Sequence, residues 1–250
     1  MVQVVCLSWR HTNGCRVGYS HDTTLQKDAA LTTDSSANQF EFWNQSAATK
    51  VFSHPLDHAQ FARTVARDAS ILDYGCGRGR LCGELAVRGF TQLVGADFSS
   101  EMIAAARRDH PSVSFTHVDG CALPFADASF DAVLLFAVLT CIPPRNAQRM
   151  LIAEVHRVLK RGGLLVVSDY PLQTDARNVA RYDAFARETH DGEACDYGTF
   201  RLPDGGTVRH HAMSWFDELF AQFTVQERVE FDAKTMNGNP ARIAQWWLRA

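Results

Sequence analysis

The sequence has no strong excess of either charge. Its 25 Lys and Arg stand against 28 Asp and Glu, a formal net charge of -3. That balance gives no bulk attraction to nucleic acid or to an anionic membrane surface. Long apolar runs are missing too. The longest, Ala132 to Leu139, is far short of the roughly 20 residues that a membrane-spanning helix needs. The seven cysteines, Cys6, Cys15, Cys76, Cys82, Cys121, Cys141 and Cys195, form no Cys-x-x-Cys and have no zinc-ligand spacing. We therefore expect reduced thiols in a cytoplasmic protein, and no metal site. The start, Met1 to Trp9, is mildly apolar but lacks a basic region and a small-residue cleavage site, so a signal peptide is not expected. Internal repeats and low-complexity tracts are absent. So is any basic stretch interleaved with aromatics, and any Asn-Pro-Pro-Tyr motif for a flipped base, which argues against a nucleic-acid partner.

What is present fits one globular unit. The chain has 250 residues, 46% of them hydrophobic and 21% charged, enough to bury a sizeable core. Residues 1–36 are polar and aperiodic and are expected to be a disordered or irregular leader; residues 37–250 are expected to form the domain. Phe40, Trp43 and Ala47 recur at helical spacing, as do Phe61, Val65 and Ala69.

A regular alternation follows. Strands are expected at Ser70–Tyr74, Gln92–Asp97, Val113–Val118, Ser129–Phe136 and Leu164–Asp169. Helices are expected to about Arg88, from Ser99 to about Asp109, and over Asn146–Lys160 closed by Gly162. A less regular insert, about 172–212, precedes a helix at Ser214–Phe220 and two closing strands at Phe223–Phe231 and Ile243–Leu248. The pattern predicts an α/β fold: a doubly wound, mostly parallel, seven-stranded Rossmann-like sheet with helices on both faces and an antiparallel last strand.

Ile71-Leu72-Asp73-Tyr74-Gly75-Cys76-Gly77-Arg78-Gly79 runs from a strand into a helix. Such a turn lets backbone approach a ligand where side chains would block it, although a tight turn without a ligand has the same glycines. The dinucleotide pattern Gly-x-Gly-x-x-Gly would need glycine where Arg80 stands, which weakens a nicotinamide reading. Asp97 ends the second strand 18 residues beyond Gly79. A carboxylate there can accept both hydrogen bonds of a ribose diol, or can serve as an acid at the start of the helix that Ser99 caps.

Five stretches in order then resemble the class I S-adenosylmethionine-dependent methyltransferases of small-molecule type. They are Asp73 to Gly79, Gly95-Ala96-Asp97-Phe98-Ser99, Asp119-Gly120-Cys121-Ala122-Leu123-Pro124-Phe125, Ser129-Phe130-Asp131-Ala132-Val133, and Glu154 through Gly163. Together they span Ile71 to Tyr170. The resemblance implies S-adenosyl-L-methionine as cosubstrate and a small-molecule acceptor. It implies that Asp73 and the backbone of Gly75 and Gly77, with Cys76 between them, face the methionine part. Asp97 would hold the ribose hydroxyls, Phe98 would lie beside the adenine, Asp119 would face its amino group, and Gly120 would offer backbone to the ring. Phe136 and Ala137 would line the methyl-transfer chamber. Where many relatives carry His after the fourth strand, this chain has Thr140-Cys141, which tells against a catalytic histidine there.

The acceptor must then come from outside the shared core. Candidates are Lys50 to His58, Tyr170 at the end of the fifth strand, and the insert with Tyr182, Tyr197, Arg209, His210 and His211. We expect His210 or His211, with Tyr170, to face the chamber, where a histidine could orient or deprotonate an acceptor. A non-catalytic S-adenosylmethionine-binding protein keeps the same cofactor motifs and stays open as an alternative. A NAD-dependent oxidoreductase is the weaker one. Neither acceptor nor oligomeric state is legible in the sequence.

Overall fold

The computed structural model describes residues 41–46, 54–119, 122–188 and 196–250. The leader expected at 1–36, Gly120, and residues 50–53 of the Lys50–His58 segment lie outside them. A short helix, α1, covers 41–46, and α2 covers His58–Thr64, capped by the Asp57 carboxylate on Gln60 N–H. There follow β1 (Ser70–Tyr74), α3 (Arg80–Val87), β2 (Gln92–Asp97), α4 (Ser100–Asp109), β3 (Ser114–His117), β4 (Phe130–Phe136), α5 (Arg145–Val158) and β5 (Leu159–Asp169). Then come α6 (Ala176–Glu188), β6 (Thr199–Arg201), β7 (Thr207–Arg209), α7 (Met213–Leu219), β8 (Thr224–Lys234) and β9 (Pro240–Arg249).

Seven strands make one sheet in the order β3-β2-β1-β4-β5-β9-β8. The first five run parallel, β9 is antiparallel to β5, and β8 is antiparallel to β9. This is the doubly wound fold expected from the alternation of strands and helices. The apolar run in β4 is explained by its place: a central parallel strand is covered on both faces, and Val133, Leu134 and Leu135 are fully buried. One boundary moved. β5 starts at Leu159 rather than Leu164, because Leu159 pairs with Phe130 before a register shift at Phe130/Ala132.

Side chains that alternate along each strand divide between two cores. Leu72, Val133, Leu135, Val167 and Trp246 pack on one face with α5 and α7; Ile71, Leu134, Val166 and Trp247 pack on the other with α2 and α3. The neighbouring Trp246 and Trp247 are thus both buried, one in each core. Trp215, Phe216, Phe220 and Phe223 are core, with Phe216 4.4 Å from Trp246 between ring centroids.

Between β5 and α7 the chain forms a small separate layer. α6 and the β6–β7 hairpin pack with α1 through Phe42, Trp43, Tyr182, Phe200, Leu202 and Val208. A Cβ on Gly206, in the hairpin turn, would lie 2.6 Å from the Phe42 ring, so the close approach of these segments needs glycine. The layer is tied to the main sheet where Pro171 bridges His211 and where Asn44 of α1 accepts from Ser99 Oγ at 2.6 Å, just beyond β2.

Candidate active site

The carboxyl ends of β1 and β2 build one half of the site. Gly75 N–H and Cys76 N–H both donate to Ala96 O, at 2.7 and 3.1 Å, and lash the glycine turn to β2. Gly75 has φ +71, and a Cβ there would sit 2.5 Å from Val138 Cγ2, so no other residue fits. Asp97 is buried. Its Oδ2 accepts from Gly77 N–H at 2.8 Å and its Oδ1 from Ser99 N–H at 2.9 Å. Burial holds its carboxyl above the ordinary carboxylate range against the pull of these donors. Burial likewise pushes Asp73 up to about 7, opposed by the Cys82 thiol that donates to it. Ser99 caps α4 through Met102 N–H, so Asp97 binds the turn while its neighbour does the capping. Cys76 turns its side chain into a small apolar cluster with Cys82, Ile103 and Phe115. Phe98 packs between the main core and the α1–α6 layer, and Asp119 is exposed just past β3.

The other half is a cavity of about 80 Å³ over the ends of β4 and β5, room for several water-sized groups. It begins at Phe136 and Ala137 and reaches Tyr170, His210 and His54. Ala137 has φ +57, a conformation a residue with a Cβ seldom adopts; its N–H donates to Ser168 O, which pins the chain in it. Tyr170 lies between two imidazoles. His210 stacks on it at 5.1 Å and 26°, and His54 meets it edge-on at 4.7 Å. Burial holds all three neutral: the Tyr170 phenol is raised well above its usual range, His54 falls to about 4 and His210 to about 3.

The Tyr182 hydroxyl accepts from Gln173 N–H at 3.2 Å and lies 2.6 Å from His210 Nδ1. In the tautomer where that hydroxyl gives its proton to Nδ1, His210 carries its own proton on Nε2. Nε2 has no hydrogen-bond partner among the described residues and is not sealed in the core. In that tautomer it is a donor turned to the cavity.

His211 is placed elsewhere. It is fully buried behind the cavity wall, where its Nε2 lies 3.2 Å from Gln148 Nε2. The same amide donates to Leu139 O and Ile142 O and accepts from Trp215 Nε1–H at 2.6 Å. Adjacent residues of an extended segment point to opposite sides, so His210 and His211 cannot both face one chamber. Arg209 is also structural, paired with Asp196 at 2.6 Å. Burial lowers His211 from 6.5 to about 3, so its folded form binds fewer protons than the unfolded chain between those values. The stability it contributes is complete above 6.5 and is lost as pH falls. We expect the stability gap between wild type and His211→Gln, measured by urea unfolding, to shrink by about 2 kcal/mol from pH 6.5 to 5. A constant gap would show that the imidazole titrates normally.

Sequence reasoning singled out His210 and Tyr170 and offered His54 only as part of the Lys50–His58 segment. It passed over Arg177 and Arg181, which line the cavity from α6. Their spacing of four on a helix was a usable signal. Asp169 has a scaffolding place. It accepts from Leu139 N–H at 2.8 Å, Thr140 N–H at 3.2 Å and Tyr170 N–H at 2.8 Å, and burial pushes its carboxyl up to about 7. Among the described residues no group of His, Cys, Asp or Glu is placed to hold a metal, and no helix is long and apolar enough to cross a membrane.

Residues 72–167 match a family described as a methyltransferase domain. The matched stretch begins in β1 and ends in β5. The chain is 38% identical over 100 residues to a demethylmenaquinone methyltransferase of Beutenbergia cavernae, covering 40% of each chain. It is 35% identical over 127 residues to the O-methyltransferase cnsE of Penicillium expansum, covering 47% of this chain and 45% of that one. The chain thus spans about two fifths of the length of the first of these curated relatives. A SAM-dependent methyltransferase of Methanosarcina mazei superposes with a TM-score of 0.70 at 25% identity, over 80% of this chain and 98% of that one. The family match takes in the glycine turn and runs from β1 to β5, while the structural match covers 80% of the chain.

Proposed function

We propose that the chain is an S-adenosylmethionine-dependent methyltransferase acting on a small-molecule acceptor by in-line transfer. One juxtaposition carries this reading: a buried carboxylate with acceptor capacity to spare stands beside a glycine turn, next to an aromatic-walled cavity. Asp97 Oδ2 accepts from Gly77 N–H and Oδ1 from Ser99 N–H, and the lone pairs a carboxylate has beyond its protein donors are available to a ligand hydroxyl. That acceptor suits the ribose of S-adenosylmethionine; Asp73 and the Gly75–Gly77 turn would lie toward the methionine end, Phe98 beside the adenine and Asp119 at the base. When bound, S-adenosylmethionine supplies a methyl group on a positively charged sulfur, already a strong electrophile. The protein's own task is then to hold an acceptor in line and keep water out. Tyr170, Phe136 and Ala137 would form that wall, and the Nε2–H of His210 would orient the acceptor rather than deprotonate it. Among the described residues Cys76 and Cys82 carry reduced thiols, which supports a cytoplasmic setting. The small cavity favours a metabolite over a nucleic acid.

The test is turnover of S-adenosylmethionine to S-adenosylhomocysteine in the presence of a metabolite extract, with calorimetry for S-adenosylhomocysteine and NAD alongside. Tighter binding of NAD would overturn the cofactor assignment; binding without turnover in any extract would leave a sensor instead. His210→Ala should lower methyl transfer by roughly 10- to 100-fold, the loss of one well-placed donor to a charged or polar group, with affinity for S-adenosylhomocysteine unchanged. Full activity in that variant would remove His210 from the acceptor site.

A further inference from the structure

Among the described residues the cavity wall carries cations and no carboxylate: Arg80, Arg177, Arg181 and Lys234 line it, and no described Asp or Glu does. Arg80 is engaged, donating to Glu84 and to His54 O. Arg177 and Arg181 are not neutralised: among the described residues neither has a carboxylate within ion-pair distance. The acid nearest in sequence, Asp175, is spent on the start of α6, where it accepts from Asn178 N–H at 3.1 Å. Arg181 is half-buried, lies 3.8 Å over the Phe200 ring, and donates to Asn178 Oδ1, while its Nε is sealed without a partner. Arg177, one turn earlier, is exposed at the rim.

Two like charges four residues apart on one helix face repel each other. Partial burial of an unpaired guanidinium adds a desolvation cost. Repulsion from Arg177 joins burial in lowering the pKa of Arg181, and both arginines help to hold His210 neutral. In the tautomer where Tyr182 donates to Nδ1, His210 presents a third donor to the same space. An anion between these donors would relieve the repulsion and fill all of them, whereas a neutral guest would leave the charges unanswered.

We propose that the acceptor is an anionic small molecule with an apolar or aromatic body, its acid group held by Arg177 and Arg181 of α6. The proposal rests on the methyltransferase reading of the same site, since it names what that site would take. Matched pairs of acid and neutral analogue test it: benzoate against benzyl alcohol, 1-naphthoate against 1-naphthylmethanol, and indole-3-acetate against indole-3-ethanol. Each is titrated by calorimetry into the full chain, with and without saturating S-adenosylhomocysteine.

At least one acid should bind more than about tenfold tighter than its neutral twin, as expected for a charge-assisted pair. The R177Q/R181Q variant should abolish that preference while keeping affinity for S-adenosylhomocysteine within about twofold, since distant sites act independently. The R177K/R181K variant should retain part of it, because charge remains while the planar fork is lost. Twins of equal affinity in every pair would overturn the proposal, and so would a preference that survives R177Q/R181Q. Failure to bind S-adenosylhomocysteine would instead sink the methyltransferase reading, and the acid preference would still be read in the titrations made without it.

Discussion

Asp97→Ala is expected to weaken binding of S-adenosylhomocysteine by about 2–4 kcal/mol, roughly 30- to 1000-fold. The loss has two sources. The carboxylate is the acceptor proposed for both ribose hydroxyls, and hydrogen bonds to a charged group are worth about 1.5–3 kcal/mol each without being additive. It also accepts from Gly77 N–H and Ser99 N–H, so its removal loosens the glycine turn on which the rest of the ligand would lie. Calorimetry gives the affinity, and thermal unfolding without ligand separates the two sources. An unchanged dissociation constant in a folded protein would reduce Asp97 to a brace for the turn. The same geometry sets a pH dependence. Burial raises the Asp97 carboxyl, and the ionised form is the better acceptor for a diol, so affinity should weaken as the buffer is made acidic.

The second large effect concerns stability. Asp169→Ala should destabilise the fold by about 3–5 kcal/mol in urea unfolding, because it strips three buried N–H groups of their acceptor at once. Leu139, Thr140 and Tyr170 all donate to this carboxylate, and through them it holds the segment after β4 against the end of β5. Asp169→Asn keeps one carbonyl oxygen but turns an amide N–H toward donors, so it should recover only part of the loss. A change below about 1 kcal/mol in the alanine variant would mean that water replaces the carboxylate without cost.

Strand and helix period were legible because the central strands are apolar on both faces and the helices begin at readable caps such as Ser99. Boundaries slipped where pairing overrides local pattern, as at Leu159, whose partner Phe130 lies across a register shift. The cofactor end of the site was legible because it is local: Asp73 to Gly79 is one turn, and Asp97 closes the next strand. The acceptor end is assembled from residues far apart, with His54, Tyr170, Arg181 and His210 meeting only in three dimensions. The identity of neighbours could suggest that one of two adjacent histidines faces inward. Which one depends on the bridge between Pro171 and His211, which no local pattern encodes.

The layer over the cavity joins Phe42 of α1 to the hairpin turn at Gly206, segments separated by most of the chain. Contacts of such sequence separation close a very long loop and form late in folding. The layer's small core is separate from the two cores that flank the sheet, so it can come undone while the sheet stays intact, as a cooperative unit of lower stability. Amide protons in α6 and in β6–β7 then exchange by partial opening, ahead of those in β4 and β5. On the proposed reading an acceptor entering the cavity would pass this layer, so turnover would depend on the layer's stability while the sheet stays rigid.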